Sequence, residues 1–237
     1  MSVLRPIPLH VLVRRAAAEL PKGAVFDLPV RRIFKGFAGA DLSVTFHGRR
    51  CATPLGPAAG PHTQLAQNIA LSWLAGGRIL ELKTVQVNDR LEIPRPCIDM
   101  ATLGLNVEWS QELLVEDALR EYVKGMLLVS ILGELAGVPE RERAFVLDMS
   151  VGYSLDGIRS RKMADFFAGA RDAGRFIERE RLELRHELPA PLRHLADAPC
   201  EARLSDSVTL STFHGCPADE IAAICRHLPT RRACTRS

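Results

Sequence analysis

A chain of 237 residues, 47% of them hydrophobic, can form one large domain or two small ones around a substantial core. Its formal charge of +3 is close to neutral for that length and gives no ground for a nucleic-acid or anionic-membrane partner. No apolar run reaches the roughly 18 residues that span a bilayer. The N-terminal MSVLRPIPLH lacks the charged-then-apolar pattern of a secretion signal, so the expected location is cytoplasmic.

Residues 8–20 carry Leu9, Leu12, Val13, Ala16, Ala17 and Leu20 at helical spacing, with Arg14, Arg15 and Glu19 opposite. Pro21-Lys22-Gly23 ends that helix, and the following stretch with Gly36 and Gly39 suggests no regular element. Alternation over 42–46, then His47-Gly48 and Arg49-Arg50-Cys51, predicts a hairpin.

Four strand-to-helix units are expected after it. The first is a strand over 52–58 and a helix over 64–75, stopped by Gly76-Gly77. The second is a strand over 78–85 (RILELKTV) and a helix from about 111 to 136. The third is a strand over 144–150 (AFVLDMS) with helices over 160–173 and 175–188, the charged run 178–187 reading as a solvated face. A proline-rich link over 189–199 leads to the fourth strand, 207–213, and to a helix with Pro217 near its first position and Asp219 and Glu220 in its first turn.

Such alternation predicts a parallel sheet, either doubly wound or barrel-like, with ligands at the C-terminal strand ends. Those ends are GPAAGPH, Lys83-Thr84, Asp148-Met149-Ser150 and His214-Gly215-Cys216-Pro217. The turn at Ala58-Ala59-Gly60-Pro61 has almost no side-chain bulk, so a flat ligand could lie on its backbone.

The signals of nicotinamide-Rossmann, P-loop, zincin and α/β-hydrolase chemistry are absent. Cys51, Cys97, Cys200, Cys216, Cys225 and Cys234 include no C-x-x-C pair, against a zinc ribbon or iron–sulfur cluster held by this chain alone; buried thiols are expected instead. Lys83 has two readings: an ion pair with Glu81 on the same strand face, or a cation facing an electron-rich ligand. Cys216 also has two: a turn residue before a helix, or a thiol whose pKa the helix N-terminus lowers. His62 reads as a hydrogen-bonded turn residue.

Five ordered motifs, CATPLGPAAGPHTQLAQN, GGRILELKTVQ, RPCIDM, DMSVGY and VTLSTFHGCPADEIAAIC, resemble the N-terminal part of the selenate reductase flavin/iron–sulfur subunit family. That family groups with the dihydropyrimidine and dihydroorotate dehydrogenase flavin barrels. The resemblance implies an α/β fold, part of a (β/α)8 TIM barrel. About four units would be present, with residues 1–50 as an N-terminal helix and hairpin extension, 51–228 as the first half of the barrel and 229–237 as a tail without family pattern.

It further implies flavin-dependent electron or hydride transfer with FMN as cofactor. Ala58, Ala59 and Gly60 would lie against the flavin ring, with Lys83 and Thr84 at its pyrimidine side. Asn106 would hold a small-molecule substrate, and Cys216 would act on a substrate carbon. Iron–sulfur clusters and FAD or NAD(P)H would sit on further modules, and the second barrel half, with the FMN-phosphate loops, would be a partner segment. The sequence departs from the flavin barrels at Phe213-His214-Gly215 and at Asp148, where asparagine is the family residue. The tail reads as the out-of-frame end of an interrupted reading frame. The competing expectation is a non-catalytic module or remnant that docks on a partner subunit.

Overall fold

Leu9, Leu12, Val13 and Ala16 are all buried, and the first predicted helix forms as α1 (Leu9–Glu19). The computed structural model describes residues 5–85, 87, 98–99, 105–106, 113–205, 207–211 and 216–228. A two-residue ladder, β1 (Ala24–Val25) with β2 (Leu28–Pro29), occupies part of the stretch expected to be irregular. The predicted hairpin forms as antiparallel β3 (Val44–Phe46) and β4 (Arg49–Cys51). Its turn residues His47 and Gly48 both take positive φ, 47° and 79°, the combination that matches the twist of a two-residue hairpin.

The chain continues through α2 (Ala66–Leu74), β5 (Ile79–Glu81), β6 (Ile98–Asp99), β7 (Leu105–Asn106), α3 (Val115–Leu135), β8 (Val146–Val151), α4 (Leu155–Ile158), α5 (Arg161–Arg171), α6 (Gly174–Glu187), β9 (Val208–Leu210) and α7 (Ile221–His227). Strands β5, β8 and β9 form one parallel sheet in that order, with Glu81 in register with Asp148 and Ser150 with Thr209. This is the α/β, parallel-sheet architecture that the alternation predicts.

The first expected strand, 52–58, is a correction: it forms no ladder strand. Pro54 and Pro57 have no N–H to contribute, so regular two-way pairing is broken. The segment nevertheless lies along β5, where Leu55 and Pro57 carbonyls accept the N–H groups of Ile79 (3.0 Å) and Glu81 (3.2 Å). Leu82 N–H instead donates to Asp148 of β8 at 2.9 Å, which puts the segment on the side of β5 away from β8.

The two sheet faces differ in chemistry. Leu80, Leu82, Leu147, Met149 and Val151 are buried in the main apolar cluster with residues of α2, α3 and α5. The opposite face carries Ile79 and Val146 at its N-terminal end and, beyond them, the polar Glu81, Asp148, Ser150, Ser207 and Thr209. Such a division fits a sheet with a helical layer outside and a polar interior inside.

Helix α3 binds the layers together electrostatically. Glu121 Oε2 accepts the Ala66 N–H at 3.0 Å, satisfying a donor at the start of α2, which has no side-chain cap of its own. Glu121 also pairs with Lys124, whose ammonium donates to the Ile7 carbonyl at 3.1 Å. At the N-terminal end of β5, buried Arg78 lies over the Trp73 ring (4.4 Å) and donates to the Trp73, Gly77 and Glu142 carbonyls. Burial lowers its pKa to about 10.

Other departures are local. The proline-rich link is largely a 3-10 helix, Ala190–Asp197, and the short helix α4 is unanticipated. The expected charged face of α6 includes one exception, Glu180, which is buried beside Arg120 at 3.5 Å. Cys51, Cys200 and Cys216 are free thiols, the first buried and the other two half-buried. His214, Gly215 and the tail 229–237 lie outside the described residues. Among the described residues no helix is long and apolar enough to cross a membrane.

Candidate functional site

The turn at 58–60 is held by its own neighbours. Glu81 grips it twice: its N–H donates to the Pro57 carbonyl, and its Oε2 accepts the Ala59 N–H at 2.9 Å. Thr63 holds the other side, its Oγ1 accepting the Gly60 N–H at 3.1 Å and donating to the Gly60 carbonyl at 3.0 Å. The N–H groups of both Ala59 and Gly60 are therefore consumed within the protein. The turn offers a small, shaped backbone surface, and these two N–H groups do not form an anion cradle.

Glu81 is half-buried, and its pKa is raised, first by burial and further by the Asp148 carboxylate in register on β8, against the lowering effect of the Ala59 hydrogen bond. Asp148 is itself buried and accepts hydrogen bonds from Ser207 Oγ and from Thr209 Oγ1, the latter at 2.6 Å. The carboxylate at the third strand end is thus tied to the fourth strand by two hydroxyls.

Lys83 and Thr84 are almost fully buried. Their register carries an irregularity. Glu81 faces Asp148 and Val85 bridges Val151, so four steps along one chain meet three along the other. One extra residue lies between Glu81 and Val85, a bulge of the kind that re-aims side chains at barrel rims. The strict alternation that would put Glu81 and Lys83 on one face is interrupted. Thr84 takes the position beside β8, its hydroxyl 2.9 Å from Ser150 Oγ. The Lys83 carbonyl accepts the Tyr122 hydroxyl of α3 at 2.7 Å, which fastens the bulge to the helical layer.

Cys216 corrects the expected geometry. Helix α7 begins at Ile221, so Cys216 and Pro217 precede it by a full turn, and Asp219 and Glu220 fall before its first residue. Residues Pro217 and Glu220 instead close a turn, Glu220 N–H donating to the Pro217 carbonyl at 3.0 Å. The thiol pKa is raised, by burial and by the Glu220 carboxylate, where a helix N-terminus would lower it. Glu220 accepts the Leu155 N–H at 2.6 Å and so serves the start of α4. Asn106 lies on β7, paired in register with Ile98 of β6. His62 is exposed, its ring beside the Cα of Gly60.

Sequence reasoning thus picked out Ala58–Gly60, Lys83 and Thr84, and it missed the polar company of Asp148. The signal was present: S-D-S-V-T-L-S places Ser205, Ser207, Thr209 and Ser211 at every second position of one strand. Two described clefts, about 670 and 820 Å³, lie elsewhere, one at the N-terminal end of β8 and one between α3, α5 and α6.

A family model described as "Oxidoreductase YgfK, N-terminal TIM-barrel domain" matches residues 26–235. The chain belongs to this family. A TIM-barrel domain agrees with the parallel sheet described above. Two curated relatives are YgfK proteins of Escherichia coli K12 and O157:H7, provisionally named as oxidoreductases. Each is 39% identical over 243 residues, covering 96% of this chain and 23% of the relative. The chain therefore spans about a quarter of the length of these relatives.

Proposed function

We propose that this chain supplies the strand-end floor of a flavin-dependent oxidoreductase of the selenate-reductase-subunit-like and dihydropyrimidine-dehydrogenase-like class, with FMN as the cofactor. The observation that carries the reading is the fixed, bulk-free turn at Ala58–Gly60, held by Glu81, with the buried Lys83-Thr84 pair following Glu81 in the chain. A planar ring fits a surface that gives shape rather than hydrogen bonds. The internal use of the Ala59 and Gly60 N–H groups fits a phosphate held by other loops.

Bound FMN would supply hydride and single-electron chemistry. Lys83 would provide a fixed cation in a low-dielectric position, where stabilisation of negative charge on a ring is strongest. Thr84, braced by Ser150, would orient the ring edge, and Asn106 would hold a small-molecule substrate. Cys216, with its raised pKa, would remain a protonated thiol at neutral pH and would act as a proton donor rather than a thiolate base. The rest of the barrel, and redox modules carrying iron–sulfur clusters and FAD or NAD(P)H, would be contributed by the remaining length typical of the relatives.

The test is an absorbance spectrum of the purified chain, alone and co-expressed with the rest of the barrel taken from the Escherichia coli relative. A flavin band near that of FMN is expected in the completed barrel, and its absence there removes the cofactor. Lys83→Ala in that assembly should slow flavin reduction by about a hundredfold, the scale of losing one charged stabilising group. A second reading, a non-catalytic module docking on another subunit, draws on the position of both large clefts away from the rim. A monodisperse, flavin-free complex with a second subunit would favour it.

A further inference from the structure

The carboxylate of Glu81 is partly withdrawn from water and stands beside a second carboxylate, Asp148, an arrangement that costs free energy unless something offsets it. Its described hydrogen-bond acceptor work is on one group, the Ala59 N–H at 2.9 Å. Glu81 N–H meanwhile holds the Pro57 carbonyl, so one residue of β5 clasps the chain on both sides of Ala58. Ala58 is exposed and Gly60 buried, and the turn changes direction between them into the 3-10 turn Pro61–Gln64. Thr63 fixes only the Gly60 end. Without Glu81 the Ala58–Ala59 end would be tethered by Pro57 alone, and an exposed, small-residue loop of that kind samples many backbone states.

We propose that Glu81 is a positioning residue for the ligand-facing turn, its carboxylate holding Ala59 so that the 58–60 backbone presents one surface to a planar ligand. This rests on the flavin reading for the identity of the ligand, while the anchoring itself does not. A hydrogen bond from a backbone N–H to an ionised oxygen is among the stronger kinds, and its acceptor can be replaced by an amide oxygen of the same shape. The conservative variant therefore separates anchoring by hydrogen bond from a need for charge.

Two measurements test it. Amide hydrogen exchange at Ala59 in the purified chain should accelerate by about tenfold or more in Glu81→Ala and return close to the wild-type rate in Glu81→Gln. Equal exchange in wild type and Glu81→Ala overturns the proposal. In the completed barrel, titration with FMN should give a dissociation constant about tenfold higher for Glu81→Ala, with Glu81→Gln restoring it. Wild-type-like FMN binding by Glu81→Ala also overturns it. Failure of the wild-type assembly to bind FMN, together with the expected exchange result, removes the flavin reading and leaves the anchoring role supported.

Discussion

Gly56 is the tightest backbone contact at the start of the site. A Cβ built on it would stand 1.5 Å from the Ile79 carbonyl oxygen, an atom fixed within β5. No rotamer change can relieve that clash, so the extended segment would have to move away from the strand it lies along. Gly56→Ala should therefore destabilise the chain by about 1–3 kcal/mol, as overpacking against a fixed backbone atom does. It should also loosen the Ala58–Gly60 turn beyond it. Urea unfolding checks the first effect, and Ala59 amide exchange the second. An unchanged midpoint would mean that the segment does not rest on Ile79. Gly60, by contrast, takes an extended φ of −170° that any residue can adopt, and a Cβ there would meet only the exposed His62 ring. The sequence does not separate these two glycines, because both sit among prolines and alanines.

Between elements, the Glu121–Lys124 pair joins α3 to the start of α2 and to the segment before α1. Both side chains are nearly inaccessible to water, so removing one partner strands a buried charge. Lys124→Met should cost about 3–5 kcal/mol, whereas Glu121→Gln with Lys124→Met should recover most of that loss. Denaturant midpoints of the two variants against wild type decide it, and equal losses would show that the pair acts only through packing. No motif marks this pair. Glu121 and Lys124 look like an ordinary exposed i,i+3 couple, because periodicity cannot say that α3 is covered on nearly every side. The same limit explains the other misses. Helix and strand positions were legible from apolar spacing in α1, α3, α5 and β8. The bulge after Glu81 and the late start of α7 were not, since both depend on register and turn closure set by distant partners. Lys83 stands out in the sequence because a lysine inside an apolar strand is costly without a partner, and the structure does bury it. The clasp by Glu81 was hidden because its partner is a backbone N–H.

Among the described residues of the whole molecule, the acids with raised pKa are Glu81 and Glu180. Burial is the leading cause for Glu81, augmented by Asp148 and opposed by the Ala59 hydrogen bond. Burial leads for Glu180 too, augmented by Glu183 and opposed by Lys124 and Arg120. The acids with lowered pKa, Asp41, Glu187 and Asp197, are held down chiefly by hydrogen bonds at exposed positions, where solvent screening leaves them little effect on stability. For a carboxyl whose folded pKa exceeds its unfolded value, the native state binds more protons between the two. Its stabilising contribution is then complete below the unfolded value, 4.5 for glutamate, and is lost as pH rises through the folded value. Glu81→Gln with Glu180→Gln removes both titrations while keeping an acceptor oxygen at each position. The variant's stability relative to wild type should therefore rise as pH increases above 4.5, and should be constant below it. Urea midpoints taken at intervals from pH 4 to pH 8 measure this difference. Parallel curves would show that neither carboxyl is strained by its burial, and a relative loss with rising pH would show that both are held by the fold in their ionised form.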